Sequence, residues 1–430
     1  MKIPRTIVFL TGLAFIVPGL VNATTPHKFA KGKPARAAEV NANFKAIDQR
    51  LLQLESGTPG SVAIDCSADV NAFLNTTIEN NTAYTLTGMC NGPIWIDDRN
   101  NVTIEGDGSG SKDDGVILQA GLTENPYGAI GVWKSKAIKL DNLTISAANY
   151  ASQTYVFGDN VATLSAGDQS FINVANVDFV GGDYSVSVYN GTQLNLRAGV
   201  SVTDFNRRGL DAYNHGLIRT HNDITVTGIV GSSTDTYPYA ISAINNSIVE
   251  IKDGGSFTGA SGKPVDEYAT AVWSGDNSTI RFGNGTNPTT VTGSIESAYS
   301  SMVRISGNMT LNGTLAAYHR GYIRATGITQ SGGEIYAGDA ATVRFESSNL
   351  TPSSVVNPNS PVDVYRQGNL RMNNTTVNLG GNGIYVSGFG FLNLRGSTNL
   401  GGADIFCQDP VQISIRNTVT GVGTVSCDGP

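Results

Sequence analysis

From residue 61 onward, short runs of alternating apolar and polar residues recur between Gly, Asn, Asp and Ser turns, as in Ile94-Trp95-Ile96, Val102-Thr103-Ile104 and Leu143-Thr144-Ile145. Period-two alternation sends successive side chains to opposite faces, so each run predicts a half-buried strand. The runs also keep a register. An aliphatic residue followed by a large one returns as Val188-Tyr189, Ala212-Tyr213, Ala243-Ile244, Val272-Trp273, Ala298-Tyr299, Ala317-Tyr318, Ile335-Tyr336, Val364-Tyr365, Ile384-Tyr385 and Ile405-Phe406, at spacings of 18 to 31 residues. Five to eight residues later comes a second column with an outward polar centre, including Asn195, Arg219, Glu250, Arg281, Arg304, Arg324, Arg344 and Arg371. A third strand ends in turns such as Val226-Thr227-Gly228 and Leu311-Asn312-Gly313. Three strands and three turns make one rung of an all-β, right-handed parallel β-helix over residues 61–430, a register that a sandwich has no reason to repeat. No rung can bury its apolar face alone, so neighbours supply the core and the two ends need caps.

The preceding residues follow another pattern. In a helix-forming stretch over about 35–55, Val40, Phe44, Ile47, Leu51 and Leu54 fall at 4,3,4,3 spacing and predict a short amphipathic α-helix with one narrow apolar stripe. That stripe suits either a self-association stalk, such as a trimer, or a helix capping the first coil. Ser56-Gly57-Thr58-Pro59-Gly60 closes the 24–60 segment as a linker. At the start, Lys2 and Arg5 precede an apolar run over 7–17 and Val21-Asn22-Ala23, the layout of a signal peptide cleaved after Ala23. The run is shorter than the roughly 20 residues needed to span a bilayer. No later segment could span, so the mature chain is expected to lack a transmembrane segment and to be secreted, on the cell surface or in the periplasm of a bacterium.

Composition narrows the partners. With 15% charged and 40% hydrophobic residues the chain is built to fold, and its net charge of −7 makes nucleic acid a poor partner. Its four cysteines form two local pairs, Cys66 with Cys90 and Cys407 with Cys427, each about one coil apart. In an exported chain this spacing reads as two disulfides, placed where the caps of the solenoid belong.

The opening Asp65-Cys66, Leu86-Thr87-Gly88-Met89-Cys90, Ile94 to Ile96 and Val102-Thr103-Ile104-Glu105-Gly106-Asp107-Gly108 resembles the first coil of exported bacterial β-helix proteins of the pectin-lyase-like superfamily. The segment from Pro34 to Phe44 also resembles a leader helix found before varied secreted bacterial domains. The resemblance implies a fold. Its enzymes are implied to cleave acidic polysaccharides, by aspartates that hydrolyse the glycosidic bond or by calcium-binding acids with a basic residue that abstracts a proton. The chain departs from the hydrolase pattern: Asn214-His215-Gly216 lacks the first glycine of a Gly-His-Gly, and the pairs Asp97-Asp98 and Asp113-Asp114 come several coils too early.

No catalytic residue is therefore assigned. Were the chain a lyase, Asp235 and Asp266 in long loops would be the acids, Arg281 the base, and calcium the cofactor; otherwise no cofactor or metal is expected. His215, His221 and His319 show no metal-ligand spacing. A stack of arginines one rung apart is self-repelling, and either acids such as Asp211, Glu334, Asp363 and Asp404 or an anionic glycan would offset it. The aromatic column either packs inside the rungs or forms an outer platform for sugar rings. The expected function is polysaccharide or cell-surface binding without catalysis, of adhesin or matrix type, with Tyr213, Arg219, Trp273, Arg281, Tyr299, Arg304, Tyr318 and Arg324 on the glycan.

Overall fold

The computed structural model describes residues 60–108, 112–119, 127–148, 161–229, 239–259, 270–283, 285–353 and 360–428. The leader, the stretch carrying Val40, Phe44, Ile47, Leu51 and Leu54, and the two acids Asp235 and Asp266 fall outside these residues. What is described is all-β: 37 strands, every named pairing of which is parallel. Strands pair with their counterparts one rung earlier and one rung later, an arrangement consistent with a parallel β-helix.

Three sheets result. The first runs through Ile94–Asp97, Gly128–Trp133, Ala162–Gly167, Tyr184–Tyr189, Arg208–Tyr213, Tyr239–Ile244 and Thr270–Ser274, and continues to the last rung. The second includes Gln193–Leu196, Leu217–Thr220, Ile248–Ile251 and Thr279–Phe282, and the third includes Ser201–Phe205, Thr225–Gly228 and Gly255–Thr258. Register is kept from rung to rung: Leu194, Ile218, Val249, Ile280, Val303 and Ile323 stand above one another and are fully buried. Phe179, Phe205, Phe257, Phe282 and Phe345 fill wider parts of the same core.

The corner between the first and second sheets is built from two consecutive left-handed residues. Asp168-Gln169, Asn214-His215, Asn245-Asn246, Asp276-Asn277, Tyr299-Ser300 and His319-Arg320 all have positive φ. Asn and Asp tolerate that region because their short polar side chains bond locally. Here they also bond between rungs: Asn190 Nδ2 donates to Asp168 Oδ1 at 3.0 Å and Asn214 Nδ2 to Asn190 Oδ1 at 2.6 Å. Just inside the corner, buried hydroxyls satisfy backbone donors of the rung before, with Ser135 N on Ser170 Oγ at 3.1 Å and Ser247 N on Ser278 Oγ at 3.0 Å. Both cysteine pairs are bridged, Cys66 to Cys90 and Cys407 to Cys427.

Candidate functional site

The outward face of the first sheet carries the site. In register along it stand Trp95, Gly131, Ser165, Ser187, Asp211, Ser242, Trp273 and Glu296. Ser165 and Ser187, small residues in succession, floor a trough between taller neighbours, while the Trp95 and Trp133 rings lie over Gly131. Two residues further along each strand come Trp133, Tyr189 and Tyr213; on the other side stand Tyr127, Tyr184 and Arg208. Together they line a groove of about 640 Å³.

Two glycines let the rings lie over the floor. A Cβ on Gly131 would meet the Trp133 ring at 2.0 Å and the Trp95 ring at 2.3 Å, and one on Gly167 would meet the Tyr189 ring at 2.4 Å. Trp95 and Trp133 accordingly approach to 4.7 Å between centroids, Tyr127 packs edge-on at 6.3 Å from Trp133, and Trp133 Nε1 donates to the Tyr189 hydroxyl at 2.8 Å. Trp95, Tyr127 and Tyr213 are 40%, 63% and 44% exposed, so the rings form an outer platform and do not pack inside the rungs.

The polar end of the groove is an ion pair. Arg208 Nη1 donates to Asp211 Oδ1 at 2.8 Å, and the Ser242 hydroxyl bonds the same oxygen. The guanidinium lies over the rings of Tyr184 at 5.2 Å and Tyr239 at 5.7 Å. Burial would lower the Arg208 pKa, but the Asp211 charge and hydrogen bond outweigh it and hold the group above its ordinary value. Charged and paired with Asp211, the guanidinium presents N–H donors that suit an anion or a hydroxyl.

Carboxylate spacing bears on catalysis. Asp211 and Glu296 lie three rungs apart on this face, about 14 Å at roughly 4.8 Å per rung. Paired acids of glycosidases stand about 5 to 9.5 Å apart. Among the described residues, no three His, Cys, Asp or Glu side chains gather to hold a metal ion.

The residues expected from the sequence divide among several places. Tyr213 lines the groove. Trp273 lies on the same sheet, stacked on Tyr239 at 5.8 Å and 11°, and tilted against Tyr318 at 6.0 Å. The Tyr318 hydroxyl donates to Glu296 Oε2 at 2.6 Å, and burial together with that carboxylate pushes its pKa far up. Tyr299 is on the corner, stacked on His319 at 5.0 Å, while His319 Nδ1 lies 3.4 Å from Asp339 Oδ2. The aromatic column is thus not one file but a mixture of strand and corner positions.

Arg219, Arg281, Arg304 and Arg324 stand on the second sheet and take no part in the groove. For Arg219, Arg281 and Arg324 the repulsion is offset on their own face, not by the acids on other strands, whereas Arg304 has no carboxylate partner among the described residues. Glu250 takes Arg219 at 2.7 Å and Arg281 at 3.1 Å, while Glu346 takes Arg324 and Arg344 at 2.8 Å each. Arg281, held by Glu250, has no described acid partner of the lyase type beside it, and Asp235 and Asp266 lie outside the described residues.

Sequence reasoning passed over Tyr127, Trp133, Tyr184, Arg208 and the trough itself. The available signal was Gly131, Ser165 and Ser187 recurring where other rungs carry Trp or acid. No protein-family model matches the chain, and comparison with curated proteins and with solved structures returned no match.

Proposed function

We propose that this chain is an exported β-helix protein of the pectin-lyase-like type that binds a polysaccharide along the groove of its first sheet, as an adhesin or matrix component without catalysis. The observation that carries this reading is the groove floored by Ser165 and Ser187 and lined by Tyr127, Trp133, Tyr184, Tyr189 and Tyr213, with Trp95 packed on Trp133 at 4.7 Å. Aromatic faces cover the apolar faces of sugar rings, and the Arg208–Asp211 pair offers directed partners for hydroxyls. Two bridged cysteine pairs are compatible with an oxidising compartment.

The test is a panel of neutral and acidic polysaccharides, read for binding by calorimetry and for cleavage by new reducing ends and unsaturated products, with and without calcium. Trp133→Ala with Tyr189→Ala is expected to weaken binding of the preferred polymer roughly tenfold or more. Cleavage of any member would replace the binding assignment with a lyase or hydrolase. Unchanged affinity in the double variant would move the site off this groove.

A further inference from the structure

The second sheet presents a charged face at odds with the rest of the chain. Residues 60–430 contain 20 Lys and Arg against 32 Asp and Glu, yet ten of those cations occupy one outward strip of this sheet. Its central file runs Arg281, Arg304, Arg324, Arg344 and Arg371 in five consecutive registered rungs. Alongside, Arg219 precedes the run, and Arg197, Lys252, Arg395 and Arg416 each stand just past the end of a strand core of the same sheet. Only Glu250 and Glu346 answer them on the strip, and among the described residues Arg304 and Arg371 have no carboxylate partner.

Burial, followed by the charges of Lys252, Arg197 and Arg219, holds the His221 pKa below its ordinary value. Arg344, Arg371 and Arg395 also line a recess of about 140 Å³ with Asn373 and Asn393, where Arg395 Nε donates to Asn393 Oδ1 at 2.6 Å.

We propose that this strip is a second binding surface, for a linear anionic polysaccharide lying across the rungs with sulfates or carboxylates on the arginines. The geometry favours a polymer over a small anion because the unpaired cations are spread along the file. Rungs follow one another at about 4.8 Å, close to the length of one sugar residue in an extended glycan. A guanidinium fork meets a carboxylate or sulfate in two parallel hydrogen bonds, and its stiffness limits the entropy lost. Glu250 bridges Arg219 and Arg281 and Glu346 bridges Arg324 and Arg344, so these guanidinium groups are held in place before a ligand arrives. This surface lies on a different sheet from the aromatic groove and does not depend on what that groove binds.

The experiment uses the full chain with dextran sulfate and polygalacturonate of matched length, at low and at physiological salt. Tight binding that weakens steeply with salt is expected for at least one of them. Arg304→Gln with Arg371→Gln should weaken it about fivefold per arginine and flatten the salt dependence, while Trp133→Ala leaves it unchanged. Lys134→Gln with Lys136→Gln removes equal charge from another, exposed place and should have little effect.

Absence of binding to both polymers, or equal losses in the two charge variants, would overturn the proposal. So would tighter binding of duplex DNA than of either glycan. A mass in sedimentation that doubles at low salt, and reverts in the arginine variant, would assign the strip to a second copy of the chain instead.

Discussion

Asp363 stands on the first sheet between Tyr336 and Tyr385, and its Oδ1 is buried without a hydrogen-bond partner. Burial, with the nearby Glu334 charge, pushes its carboxyl up from 3.8 to about 6. Between those values the folded chain holds a proton that the unfolded chain has released. Stability therefore falls as pH rises through the window, and the loss is complete above about 6. Asp363→Asn keeps the shape and removes the titration. The variant should melt higher than the parent at pH 7.5 and coincide with it at pH 3.5; thermal unfolding of both across that range decides. A difference that is constant with pH would show that the carboxyl titrates normally.

The strands and caps were largely legible in the sequence because each rests on a local rule. Alternation gives the faces, Asn and Asp mark left-handed corners, and cysteines one coil apart can bridge. The aromatic files were not legible, for a physical reason: residues two apart on a strand share a face. Trp273 and Tyr318 are both outward, yet backbone pairing sets Trp273 opposite Glu296, and the Tyr318 N–H reaches the Ser297 carbonyl one position past that pair. Tyr299, two residues past the end of Ser294–Ser297, is already in the corner. Partners of the arginines were misjudged because Glu346 lies two residues after Arg344, off the column being followed.

The caps carry a prediction at this scale. The Cys66–Cys90 bridge closes 24 residues over an end where Phe73 and Ile78 cover the first rung. Cys66→Ser with Cys90→Ser should cost about 3 kcal/mol of stability in urea unfolding. An unchanged midpoint would mean that apolar packing holds this end alone.

Across the whole solenoid, stability should grade from end to end because each rung rests only on its neighbours. The N-terminal end is sealed: Phe73, Tyr84 and Leu86 are nearly or fully buried, and Phe73 packs on Tyr84 at 5.7 Å. At the other end Ile415 and Val425, in register with the buried Leu394 and Ile405, are 37% and 47% exposed, so among the described residues the last rung has a rung beneath it but little above. Central strands such as Ile248–Ile251 and Thr279–Phe282 bury their inward residues nearly completely between two neighbours. Local opening takes the least free energy where the fewest apolar contacts are lost. Amide exchange should then appear first in Gln412–Ile415 and Thr420–Asp428, last in the central strands, and later at the N-terminal end than at the C-terminal one. Removing the Cys407–Cys427 bridge should extend the early-exchanging zone inward by a rung and leave the centre unchanged. Equal protection from end to end would mean instead that the solenoid opens as one cooperative unit, with coupling between rungs strong enough to erase the difference between its two ends.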